Sequence, residues 1–262
     1  MTQNMRDLLI KIQKERPFIF NVSEYFPIDL VASGLRSIGA FPLMSNAEQE
    51  IDEIFNLAQA VVINLGKLND DFVKICSDVC SLANKHNKPI ILDPVGAGIS
   101  RYRTDIAINL IKENSISMVR AYPNEIASLL DGQLTITNHS VIEYNELLDK
   151  AKKFSEEHNL LVVLSGKLNT IIDGNKFDQF NYDSFLLQKV AGIGNLLSSM
   201  LGAFHAVETD RFLAAQKATE FYGKCVSSAN SRAKGPGSLK MELIDQLYKC
   251  ASESIQWYPG AK

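Results

Sequence analysis

The 262-residue sequence predicts an α/β fold, a mainly parallel central sheet with helices on both faces. Three observations carry this expectation. Short apolar runs alternate with stretches whose apolar residues recur at helical spacing. The runs are apolar at nearly every position, as in strands covered on both sides, rather than alternating as in a sheet with one wet face. The composition, 46% hydrophobic and 22% charged, is that of a globular chain and excludes disorder, collagen and coiled coil. No linker, low-complexity tract or internal repeat divides it, so residues 1–262 read as one domain.

The elements follow in order. MTQNMRDLLIKIQKERP at the start has the pattern of an amphipathic helix rather than a signal peptide. FIFNV (18–22) reads as a strand and IDLVASGLRSIG (28–39) as a helix. AVVINLG (60–66) is a buried strand. DDFVKICSDVCSLANKHN (70–87) is a helix that stops at Asn before Lys-Pro. PIILDPVGAG (89–98) is a strand running into a glycine loop. Helix 104–114, strand 116–122, helix 124–132, helix 141–159 and strand 160–166 come next. Asp-Gly-Asn between two apolar segments in 170–182 signals a hairpin. The segment LLSSMLGAFHAV (196–207) is apolar nearly all round, as a buried helix is. The last third is helical, interrupted at KGPGS (234–238) and closing with helix 241–255.

Charge narrows the partners. Twenty-seven Lys and Arg against thirty Asp and Glu give −3, with a pI near 5.9. That balance exerts no general pull on nucleic acid or an anionic membrane. No apolar run reaches the roughly 18 residues of a membrane span. Cys76, Cys80, Cys225 and Cys250 form no CxxC pattern and the four histidines are scattered, so they read as small buried hydrophobes in a reduced, cytoplasmic chain.

Ligands of open α/β sheets bind outside the carboxyl ends of the strands. Those ends carry Gly66-Lys67, Asp93-Pro-Val-Gly-Ala-Gly98, Ala121-Tyr-Pro-Asn-Glu125 and Ser165-Gly-Lys167, a set suited to a polar anion. Asp93 reads either as a Mg²⁺- or phosphate-linked carboxylate or as an Asx-type turn former. Gly192-Ile-Gly194-Asn195 before the buried helix reads either as a phosphate cradle or as a tight turn with Asn195 as helix cap. GxxxxGK[ST] is absent, so a P-loop is not supported.

At LDPVGAGISRYRT (92–104) the chain resembles the hydroxyethylthiazole kinases, members of the ribokinase-like superfamily. ASGLRSIGAFPLMSNAEQEI (32–51), VVINLGKL (61–68), AGIGNLLSSMLGAFHAV (191–207) and GPGS (235–238) carry the same resemblance in the same order. It implies a three-layer ribokinase-like fold without a lid. It implies transfer of the γ-phosphoryl of ATP, with Mg²⁺, to the primary alcohol of 4-methyl-5-(2-hydroxyethyl)thiazole in thiamine salvage. A homotrimer with active sites between subunits goes with it. Met44 and Gly192 would then contact the acceptor, with Ser23 and Glu24 beside it. Arg120, Ser165 and Gly194 would contact ATP, and Asp93 and Glu125 would serve the metal.

The chain departs from the family pattern at several of these positions. The residue closing the glycine turn, usually Cys or in ribokinase relatives Asp, is Asn195. Arg-Gly-Asn-x-x-Glu becomes Arg120-Ala-Tyr122-Pro-Asn-Glu125. Thr-Asn becomes Ser23-Glu24, and the family's Asn stands as Asp29 and Ser33. A neutral amide is no base. Asn195 therefore leaves three readings open: a slow hydroxyethylthiazole kinase, a kinase of another small alcohol, and a non-catalytic ligand-binding protein on the same fold.

Overall fold

The structure, a computed structural model, describes residues 3–23, 28–131, 144–182 and 184–256. Glu24, the first residues of the expected helix 141–159 and the last of helix 124–132 lie outside the described residues.

The chain opens with helix α1 (Gln3–Glu15), strand β1 (Phe18–Val22), helix α2 (Ile28–Ile38) and strand β2 (Phe41–Met44). Helix α3 (Ile51–Leu57) and strand β3 (Ala60–Asn64) follow, then α4 (Asp70–Lys85), β4 (Ile90–Asp93), α5 (Arg101–Glu113) and β5 (Met118–Ala121). Next come α6 (Pro123–Asp131), α7 (Tyr144–His158), β6 (Leu161–Leu164), and the hairpin β7 (Asn169–Asp173) and β8 (Lys176–Phe180). Helices α8 (Ile193–His205), α9 (Arg211–Asn230) and α10 (Pro236–Gln256) complete it.

The eight strands of the described residues form one sheet in the order β2-β1-β3-β4-β5-β6-β7-β8. β2 through β6 are parallel, whereas β7 and β8 add on antiparallel. Alternation along each strand sorts the core into two layers. Ile19, Val62, Ile91 and Met118 pack with α1, α2, α8, α9 and α10. Phe20, Val61, Ile63, Leu92 and Val119 face the other way, onto α3 to α7. This is the expected three-layer α/β arrangement. Helix α8 lies against β1, β3 and β4 with eleven of its thirteen residues buried. Gly202 allows the approach, because a Cβ there would sit 3.0 Å from Val62 Cγ2.

Local signals explain most boundaries. Asn87, just past α4, has φ 53° and so closes that helix in the left-handed region. Gly174 has φ 58° at the first position of the two-residue turn between Asp173 and Lys176. Two elements lie between the expected helix 28–39 and the expected strand 60–66, where the sequence pattern assigns none. β2 contains Pro42, which lacks a ladder donor and is tolerated because the strand is at the sheet edge. The short α3 is too brief to display a helical period. α5 begins at Arg101, before the expected 104, because the Ser100 side chain accepts from the Arg103 N–H. Pro236 opens α10 instead of separating it from the chain before, as suits proline at a first helical position.

Candidate active site

The carboxyl ends of the parallel strands bring Asn21, Asn64, Asp93 and Arg120 to one edge, with Ser165 just past β6. The start of α8 meets them there. Gly192, at φ 87° and ψ 0°, turns the chain into the helix with no side-chain cap, a conformation that favours glycine. Its carbonyl accepts the Leu196 N–H at 2.9 Å, so the preceding helix N–H groups remain for a ligand. The Tyr222 hydroxyl donates to Ile193 O at 3.0 Å and steadies the turn from behind. Asn195 is therefore the third residue of the helix rather than its cap.

Two serines tie α8 to the strand ends. Ser198 Oγ donates to Asp93 Oδ2 at 2.7 Å, and Ser199 Oγ donates to Asn21 Oδ1 at 2.6 Å. On the other side of Asp93 stands Arg120, its Nη1 3.6 Å from Oδ2. Arg120 Nε donates to Ser165 Oγ at 2.9 Å. Gly194 packs so closely on the guanidinium that a Cβ would lie 2.2 Å from Nη1. Asp93 Oδ1 is buried with no hydrogen-bond partner among the described residues.

Burial pushes the Asp93 carboxyl above the usual carboxylate range, while the Arg120 charge and the hydrogen bond from Ser198 pull it back. Burial works to lower Arg120, but Asp93, Tyr122 and Glu125 together outweigh it and the guanidinium stays charged. Glu125 is raised by burial and by the nearby Asp93 charge. Both of its oxygens are engaged: Oε1 accepts the Gly96 N–H at 2.9 Å and Oε2 the Tyr122 N–H at 2.8 Å. Glu125 thus links the loop after β4 to the loop after β5.

A pocket opens on each side of the α8 turn. The first is lined by Asn21, Ser23, Met44, Asn64, Asn195 and Ser198 among others. Ser23 and Ile28 both line it. The second, of about 220 Å³, is lined by Arg120, Tyr122, Ser165, Lys167, Gly194 and Tyr182 among others. Of the residues that the resemblance assigns to an acceptor, Met44 and Ser23 line the first, and of those it assigns to ATP, Arg120, Ser165 and Gly194 line the second; both pockets border the start of α8. Gly192 belongs to the turn between them. Asn21, Asn64, Ser198 and Ser199 were missing from the sequence reading. The one signal for the serines was a polar pair inside a helix otherwise apolar all round.

Among the described residues no group of three or more His, Cys, Asp or Glu comes together to hold a metal ion, and no helix is long and apolar enough to cross a membrane.

The family model described as "Hydroxyethylthiazole kinase family" matches residues 9–253. The chain belongs to the hydroxyethylthiazole kinase family. A solved hydroxyethylthiazole kinase from Pyrococcus horikoshii OT3 is 28% identical over 98% of this chain and 97% of that one, with a TM-score of 0.87. A ribokinase-like superfamily protein of Enterococcus faecalis V583 shares the fold at 12% identity, covering 97% of this chain and 98% of that one, TM-score 0.68. Bacillus subtilis pyridoxal kinase, solved as an ADP complex, shares it at 13% identity over 81% and 92% of the two chains, TM-score 0.62. This member of the hydroxyethylthiazole kinase family is a kinase-like phosphotransferase on a ribokinase-like fold.

Proposed function

We propose that the protein phosphorylates the primary alcohol of 4-methyl-5-(2-hydroxyethyl)thiazole with ATP, in thiamine salvage in the cytoplasm. The observation that carries this reading is the pair of cavities meeting at the α8 start, one with Met44 and Asn195, the other with Arg120, Ser165 and Gly194. Half-buried Met44, at the end of the edge strand β2, offers an apolar contact to a heteroaromatic ring. Ser23 borders the same acceptor, and the resemblance assigns Glu24 to it as well. Arg120, Ser165 and the free N–H groups beyond Gly192 receive the phosphates, as a helix start with a cation beside it suits an anion.

The donor set fits Mg²⁺. The buried Asp93 Oδ1 has no other partner, and Glu125 keeps lone pairs after its two backbone bonds. One or two carboxylates completed by substrate phosphates and water is how this cation is usually held. When bound it neutralises charge on the phosphates.

In the transfer, the acceptor oxygen forms a bond to the γ-phosphorus as the bond to the β–γ bridging oxygen breaks and ADP leaves. Asn195 orients the alcohol by hydrogen bonding but takes no proton. The loose transition state of phosphoryl transfer leaves positioning as the main demand. The alcohol proton passes to the transferred phosphate or to solvent.

The test is ATP- and Mg²⁺-dependent phosphorylation of hydroxyethylthiazole by the natural chain beside Asn195→Cys and Asn195→Asp. Turnover by all three is expected, with the ionisable variants faster by as much as about 10²-fold, the low end of general-base effects. Turnover by the variants alone would favour a ligand-binding protein that has lost its base. Turnover by none would shift the reading to another small alcohol. We also propose a homotrimer with active sites between subunits, for which light scattering must give three times the 29.1 kDa chain mass.

A further inference from the structure

We propose that Tyr122 is a positioning residue whose ring holds the Arg120 guanidinium toward the nucleotide and away from the vacant oxygen of Asp93. The inference rests on the nucleotide reading of the Arg120–Ser165–Gly194 cavity.

Arg120 has five N–H donors in a rigid fork. Nε is committed to Ser165 Oγ. Gly194 closes one side, where a Cβ would lie 2.2 Å from Nη1 and 2.8 Å from Nη2. The Tyr122 ring closes another, its centroid 4.3 Å from Cζ. The ring stands on a fixed turn. The Tyr122 N–H donates to Glu125 Oε2, and its carbonyl accepts the Ile126 N–H at 3.0 Å to start α6. Proline follows immediately and fixes its own φ.

Core packing does not account for the ring, because Tyr122 is 46% exposed. It covers a cation instead, the arrangement in which an aromatic face attracts a guanidinium. Asp93 supplies the competitor. Its Oδ2 already lies 3.6 Å from Nη1, and its Oδ1 has no partner. A carboxylate with a vacant oxygen invites two-pronged pairing with arginine. A guanidinium that turned into that pairing would withdraw donors from the cavity shared with Ser165 and Lys167. The Ser165 bond restrains one end of the fork, and the Tyr122 ring restrains the plane.

The experiment measures binding of Mg²⁺ and the non-hydrolysable ATP analogue AMP-PNP by calorimetry. The proteins are the natural chain, Tyr122→Phe and Tyr122→Leu, with Tyr122→Leu repeated in an Arg120→Gln background. Tyr122→Leu is expected to weaken binding about 5- to 30-fold, the range of a partly desolvated cation–π contact. Tyr122→Phe keeps the ring and is expected to retain affinity within about twofold of the natural chain. In Arg120→Gln the leucine substitution should cost nothing more, since the residue it positions is gone. Unchanged affinity in Tyr122→Leu overturns the inference. So does an equal loss with and without Arg120, which would make the ring a direct contact or a structural support. No AMP-PNP binding by the natural chain overturns the nucleotide reading itself, and this inference with it.

Discussion

Asp93 and Arg120 face each other from neighbouring strands, Oδ2 3.6 Å from Nη1, with side-chain exposures of 0% and 3%. Such a pair is expensive to bury. The attraction between its members roughly offsets the cost of taking both from water, so it adds little net stability while it is whole. Its members are held by more than each other. Ser198 donates to the acid and Ser165 accepts from the base. On the proposed function, the pair is two charges held ready for a ligand that carries more.

The first prediction concerns its removal. Asp93→Ala leaves a buried guanidinium without its counter-charge and should lower stability by about 3–5 kcal/mol. Asp93→Asn keeps the shape and a Ser198 acceptor, and should cost less. Both should lose phosphoryl transfer, because neither offers a charged oxygen to the metal. Urea denaturation with parallel assays checks this, and full activity in Asp93→Asn would remove the carboxylate from the mechanism.

Gly194 gives a steric counterpart. In Gly194→Ala the new methyl would lie 2.2 Å from Arg120 Nη1, with the guanidinium carbon at 2.7 Å. The guanidinium must yield, since the glycine is part of a buried helix start. Overpacking of this kind costs about 1–3 kcal/mol. The displaced arginine should weaken AMP-PNP binding at least about tenfold, the effect of a misplaced charged hydrogen-bond donor. Melting temperature and calorimetry separate the two effects. Binding that matches the natural chain would show that Arg120 does not serve the nucleotide from its present position.

These residues also mark how far the sequence could be read. Asp93 ends a short apolar run, so the strand pattern alone put it at a sheet edge, and the fold followed from the same alternation, whereas Arg120 entered through the resemblance. The Gly192 turn was visible as two glycines before an apolar helix. What could not be read locally was pairing across long separations. Ser198 meets Asp93 from 105 residues away and Ser199 meets Asn21 from 178 away, and no periodicity carries such information. β2 was hidden because an edge strand of four residues containing proline has too little pattern, so Met44 entered only through resemblance. Asn195 was visible as a departure, but its place in the first turn of α8 and in the pocket with Met44 is a product of the fold.

Arg103 is a brace that the sequence placed in a motif without giving it a role. Its Nη1 donates to Leu65 O at 2.7 Å and to Val95 O at 3.1 Å, and its Nη2 to Gly66 O at 3.1 Å. The loops after β3 and β4 are thereby joined beside Asp93. Arg103→Leu keeps most of the stem packing and strands these carbonyls, at about 1.5–3 kcal/mol for hydrogen bonds from a charged donor. Hydrogen exchange should quicken first at the Gly96, Ala97 and Gly98 amides, which donate to Glu125 Oε1, Pro94 O and Thr104 Oγ1 in the loop that Arg103 braces. A uniform change across the sheet would instead mean global destabilisation.

The last prediction tests the thiols. Cys225 on α9 and Cys250 on α10 lie where those helices pack, and Cys225 is fully buried while Cys250 is half-buried. The neighbouring Cys225 side chain pulls the Cys250 thiol down to about 7, against 9.0 for an ordinary thiol, whereas burial pushes Cys80 up to about 12. Only the thiolate is nucleophilic, so Cys250 reactivity rises as pH climbs through about 7 and is lost below it. Iodoacetamide labelling followed by mass spectrometry should find Cys250 modified first, with its half-maximal rate near that pH. Cys225→Ser retains an O–H donor and should preserve the low midpoint, while Cys225→Ala removes the donor and should return it toward 9.0. A Cys250 midpoint already near 9.0 in the natural chain would mean that the two thiols do not bond in solution.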